Sequence, residues 1–130
     1  MVKNLEMRGV VYIQYFEALN RMSRGTLVGL LVCMPYAYLS PAARPPSQLA
    51  PYMHLAAMAV LSLLACVSFK TARRRTCAVF FIFIFSALME LLQYFSPHRN
   101  SSWEDVGINA LGCLAGGMLF GALNVLRFKC

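Results

Sequence analysis

Four apolar stretches, at about residues 25–43, 52–69, 77–95 and 106–126, alternate with short polar segments along this chain. Each approaches the ~20 residues that a helix needs to cross a bilayer, so the pattern predicts four membrane-spanning helices. The first stretch is the weakest, because Pro35 interrupts it and Pro41 follows. Its basic approach and the small residues around Ala42 and Ala43 also fit a signal sequence. Pro35 and Tyr36 break the apolar run, however, and no Ala-x-Ala site is well placed, which favours a retained span. Ahead of it, VVYIQYFEALNRM mixes apolar and aromatic residues with Gln14, Glu17 and Arg21. Residues 1–24 are therefore read as a separate cytosolic segment, either an interfacial amphipathic helix or a loosely ordered tail.

Composition supports a membrane reading. The chain has 130 residues, 59% hydrophobic and 13% charged, with a mean hydropathy of +0.59. A soluble domain carries about 25% charged residues. The net charge of +7 is a topology signal rather than a sign of nucleic acid. Ten of the twelve Lys and Arg fall in three places: Lys3, Arg8, Arg21 and Arg24; Lys70 and Arg73–Arg75; Arg127 and Lys129. Arg44 and Arg99 fall in the other two connections. Positive residues stay cytoplasmic during insertion, which puts both termini inside, with membrane lipids as neighbours and no nucleic-acid partner. The five cysteines form no C-x-x-C pair and lie mostly inside spans, as small apolar residues do.

The connections differ in information. SPAARPPSQLAP is a Pro- and Ala-rich outer loop, and TARRR is a short inner one. In SPHRNSSWED, Pro97 stops the third helix, and Ser102 with Asp105 gives a capping-box-like start to the fourth. Trp103 falls where an amphipathic ring favours the membrane boundary. The aromatic run FFIFIF of the third span shows no polar pattern and is expected to face lipid. In the fourth span, Gly112-x-x-x-Gly116 and Gly117-x-x-x-Gly121 are small-residue faces that let helices approach closely. Packing within the chain is the favoured use of these faces, a homodimer through span four the alternative.

Most of the polar chemistry lies between Glu90 and Asn109. Glu90 sits about 9 Å below the outer end of the third span and Asn109 about 6 Å down the fourth, at 1.5 Å per residue. Glu90 and Gln93 share a face by i,i+3 spacing, and Asp105 and Asn109 by i,i+4. Two antiparallel helices can thus bring four polar groups to one depth, with Arg99 above them and His54 in the first turn of the second span. In a purely structural reading, Glu90 pairs with Arg99, Asp105 caps the fourth helix, and Asn109 and Gln93 bond across helices, at about 0.6 kcal/mol for each polar pair. A carboxylate at mid-helix costs about 2.5 kcal/mol or more, which favours a functional reading. There, Glu90 and His54 are the candidate catalytic acid and base. Arg99, Gln93, Asp105 and Asn109 are the candidate ligand-binding residues, Arg99 as a bidentate anion clamp. A metal held by His54, His98, Glu90 and Asp105 is chemically conceivable, but His98 follows a proline in an exposed loop, so no metal and no cofactor are expected.

These residues form a string: E-x-x-Q, an Arg six residues past the Gln, an Asp six past the Arg, an Asn four past the Asp and a Gly three past the Asn. In this chain they are Glu90, Gln93, Arg99, Asp105, Asn109 and Gly112. With His54 opening the second span, the pattern resembles the VanZ-like family of bacterial membrane proteins, named for a teicoplanin-resistance factor. The resemblance covers about residues 50–120. It departs from the family at Pro51, which stands where the family usually has a Lys three residues before the His. It implies a multi-pass protein of the bacterial cytoplasmic membrane and cell envelope, without fixing a reaction. The expectation is therefore an all-α, four-helix transmembrane bundle with an outward polar pocket. The pocket would take an anionic envelope or lipid-linked ligand, with a link to glycopeptide (teicoplanin) resistance. The alternatives are an intramembrane acid–base hydrolase or transferase acting on a lipid-linked substrate, and an assembly partner of another membrane protein.

Overall fold

The computed structural model describes residues 2–43, 45–95 and 102–129, with side chains described from residue 14 to residue 126 except Phe16. The chain is all-α: α1 Val2–Leu39, a 3-10 turn Pro41–Ala43, α2 Ala50–Ser68, α3 Ala72–Gln93 and α4 Trp103–Lys129. The polypeptide reverses after each helix, so neighbours in sequence run antiparallel. Glu17 meets Lys70 and Tyr38 meets His54, fixing α1 against α2. Arg75 lies over the Phe120 ring, fixing α3 against α4.

Helices α2, α3 and α4 are each long and apolar enough to cross a membrane, over Ala50–Ser68, Ala72–Gln93 and Trp103–Leu126. The first helix departs from the sequence reading. No break separates residues 2–24 from the stretch that follows, and α1 runs through Pro35 as one helix of 38 residues. Proline removes one backbone donor and crowds the carbonyl four residues back, here that of Leu31. The neighbouring turns are held by burial of Leu27, Met34 and Tyr38 against the other helices.

Local chemistry sets the helix ends. Thr71 caps α3 by accepting from the Arg74 backbone N–H at 3.4 Å. Ser102 caps α4 by accepting from the Glu104 N–H at 3.0 Å, as expected of its position, with Glu104 and Asp105 in the first turn, where negative charge suits the helix dipole. Pro51 occupies the first turn of α2, a place where a missing N–H costs no intrahelical bond. Arg44, Pro97, His98 and Arg99 lie outside the described residues.

The tightest seam joins α2 to α4, which run parallel. A Cβ at Gly112 would stand 2.6 Å from the Leu55 carbonyl oxygen and 2.7 Å from Met58 Cβ. One at Gly116 would collide with the Ala59 carbonyl oxygen and come within 2.8 Å of Ser62 Cβ. Only glycine admits this approach, and Ser62 Oγ uses it to donate to the Cys113 carbonyl at 2.8 Å. The core gathers around the seam, with Met58, Leu61, Ala65, Ile82 and Cys113 buried. The aromatic run of α3 is two-sided rather than wholly lipid-facing. Phe80, Phe81 and Ile84 are exposed, whereas Ile82 is buried and Phe83 and Phe85 pack on the core, because the helix turns a continuous apolar run through every direction.

Candidate functional site

At one end of the bundle three helices send a polar side chain toward an imidazole on the fourth. His54, in the first turns of α2, places Nδ1 3.2 Å from the Tyr38 hydroxyl of α1 and 3.2 Å from Asn109 Oδ1 of α4. The same nitrogen is 3.4 Å from Glu90 Oε1 of α3. The Asn109 oxygen can only accept, whereas the Tyr38 hydroxyl can donate or accept, so the ring tautomer decides which of the two Nδ1 serves. The Tyr38 ring meets the imidazole edge-on, with centroids 5.2 Å apart.

Burial makes this cluster costly unless its groups are paired. Glu90 is 2% exposed and Asn109 fully buried, while the His54 side chain retains 13%. Asn109 Nδ2 has no hydrogen-bond partner among the described residues. Asp105, half-buried one turn before Asn109, joins the group: His54, Glu90 and Asp105 each offer an atom within 4.8 Å of the others. A nitrogen and two carboxylates at such separations are donors of the kind divalent metals accept. These are the residues that could hold a cation, although the sequence reading expects none.

Helix geometry explains the convergence. Residues three and four apart share a face, so the turn that carries Glu90 inward also carries Gln93. Gln93 Nε2 donates to the Tyr38 carbonyl at 2.7 Å. That carbonyl belongs to the last turn of α1, where helix carbonyls lack intrahelical partners. Gln93 thus caps α1 from across the bundle and holds the Tyr38 backbone in place. The Gly112–Gly116 seam continues upward into Asn109 on the same face of α4, which brings its amide to His54. A small cavity of about 110 Å³ adjoins the cluster, lined by Tyr38, His54, Gln93 and apolar neighbours including Met53 and Ala57.

The structure therefore unites five of the six sequence candidates, His54, Glu90, Gln93, Asp105 and Asn109, around one point. Arg99 lies outside the described residues. Tyr38 was not among the candidates. In YAYL, Tyr36 and Tyr38 look alike, yet Tyr36 is 66% exposed and Tyr38 7%. Only the rotation of α1 against its neighbours separates them.

A model of the VanZ/LLP1 family matches residues 6–124. The chain belongs to that family. No curated protein and no solved structure matches it. The match extends well into α1, beyond the reach of the motif string, so the long first helix is part of the family unit. Together with the three apolar helices, it makes this VanZ-family chain a membrane protein.

Proposed function

We propose that this VanZ-family protein is a four-span protein of the bacterial cytoplasmic membrane whose His54–Glu90 cluster opens outward and receives an anionic envelope or lipid-linked ligand. The observation that carries the reading is the meeting of Tyr38, Glu90 and Asn109, from three helices, within 3.4 Å of Nδ1 of His54 on the fourth. Structural glue does not require a buried carboxylate, a histidine and a second carboxylate at one point. Arg99, in the connection between α3 and α4, supplies the anion clamp, and its planar fork suits a phosphate or carboxylate. The fourth span is the apolar part of α1 that starts at about residue 25 and brings Tyr38 to His54. The uneven distribution of Lys and Arg supports an outward site and cytoplasmic termini. The proposed link to glycopeptide resistance rests on family membership alone.

The close approach of His54 Nδ1 to Glu90 Oε1, at 3.4 Å, supports a second reading, an intramembrane acid–base enzyme acting on a lipid-linked substrate. One set of variants tests both against an assembly role: Glu90→Gln, Arg99→Lys and Asp105→Asn, read by membrane abundance, lipid profile and teicoplanin sensitivity in the native host. A functional site predicts normal abundance with a changed phenotype in all three. Accumulation of a lipid-linked intermediate in Glu90→Gln selects the enzyme. Depletion of Glu90→Gln with rescue of abundance and phenotype by adding Arg99→Gln removes the functional-site reading, since only a structural ion pair behaves so.

A further inference from the structure

The opposite end of the bundle holds a second polar site. Glu17, Asn20, Arg21 and Arg24 form one face of α1 by their i, i+3, i+4 and i+7 spacing. With Lys70, just past the end of α2, they line a cavity of about 160 Å³. This cavity lies about 24 Å from His54 along α2, from the sixteen residues between His54 and Lys70.

Asn20 gives the cavity its meaning. Its residue is 1% exposed, yet neither its Oδ1 nor its Nδ2 has a hydrogen-bond partner among the described residues. Buried amides are almost always paired, so these two atoms are available to a polar group entering the cavity. The charges around it indicate which. Among the described residues that line the cavity, Arg21, Arg24 and Lys70 stand with one carboxylate, Glu17, an excess of two positive charges. The Lys70 ammonium is 3.3 Å from Glu17 Oε1, and Arg24 Nε donates to the Asn20 carbonyl oxygen at 3.3 Å. The second contact anchors the Arg24 guanidinium on the rim while using one of its five donors.

We propose that this cavity binds a phosphate-type oxyanion, as a doubly charged monoester group or the headgroup of an anionic lipid. Two guanidinium groups and an ammonium supply charge-assisted donors to phosphate oxygens. The Asn20 amide donates Nδ2–H to the same group, and Oδ1 accepts from a protonated oxygen or water on it. The site is independent of the His54 cluster and rests on none of its chemistry.

The test uses the full chain, purified in zwitterionic detergent and assayed by thermal unfolding and calorimetric titration. Inorganic phosphate and dihexanoyl phosphatidic acid are the two probes, with sodium chloride at matched ionic strength as control. Stabilisation by inorganic phosphate assigns a soluble phosphate ligand, and stabilisation by phosphatidic acid alone assigns a lipid headgroup. In either case Arg24→Gln and Lys70→Gln should each weaken binding about tenfold, the loss expected for one charge-assisted hydrogen bond. Asn20→Leu should fold at least as well as wild type and bind more weakly. The proposal is overturned if neither probe stabilises beyond the chloride control, or if binding persists unchanged in Arg24→Gln and Lys70→Gln.

Discussion

Helix α4 carries two glycine pairs of identical spacing, and its two faces meet different surroundings. Gly112 and Gly116 are pressed against α2, with no room for a Cβ at either. Gly117 and Gly121 have nothing within 4 Å of theirs. Gly117 instead borders an open apolar cleft of about 680 Å³ between α3 and α4, together with Val79, Phe83, Leu114 and Met118. The closed face continues into Asn109 and the imidazole cluster, whereas the cleft on the open face has Arg75 and Thr76 as its polar lining. Small residues thus permit close approach, but a partner helix decides whether the permission is used. In this chain the used pair is the one in register with the polar site, so the seam that packs α2 on α4 also sets the distance from His54 to Asn109. A homodimer through α4 is left to the Gly117–Gly121 face, because α2 covers the other.

The sharpest way to break the comparison is a bulky residue on the closed face. Gly116→Leu should force α2 and α4 apart, costing about 3 kcal/mol, the upper part of the range for overpacked cores. The monodisperse fraction in detergent should fall steeply, and a wild-type yield would mean that α2 does not cover this face. Asn109→Leu is the next largest. It fills a similar volume but removes an oxygen facing His54 Nδ1, and should cost about 1–3 kcal/mol, the range for a buried group losing its partner. Thermal unfolding measures that cost, and the lipid profile shows whether the site survives it.

A smaller effect is expected for Ser62→Ala, which deletes the hydroxyl donating to the Cys113 carbonyl and should cost about 1 kcal/mol. Unfolding in a denaturing detergent, followed by circular dichroism, resolves a difference of that size. Gly117→Leu comes last. On the open face it should change stability by no more than about 0.5 kcal/mol and leave the His54 cluster intact. Chemical crosslinking sharpens the result: loss of a wild-type dimer band in this variant would assign the open face to contact between copies.

Much of this was legible from the chain. The apolar stretches that became α2, α3 and α4, the cap at Ser102 and the inward pairing of Glu90 with Gln93 follow from hydropathy, hydrogen-bond chemistry and helical periodicity, all local properties. Family membership was likewise carried by the spacing of Glu90, Gln93, Arg99, Asp105, Asn109 and Gly112. What local reasoning could not reach is how each helix is rotated and which neighbour it meets. The continuity of α1 through Pro35 depends on burial of Leu27, Met34 and Tyr38, which outweighs a local penalty. The choice of Tyr38 over Tyr36, and of Gly112–Gly116 over Gly117–Gly121, has the same origin. Hydropathy and spacing were enough to show which segments are apolar enough to span and which polar residues they carry. A helix offers several equivalent faces, and packing among them is what brought an α1 hydroxyl to the imidazole and buried the Asn20 amide with no partner among the described residues.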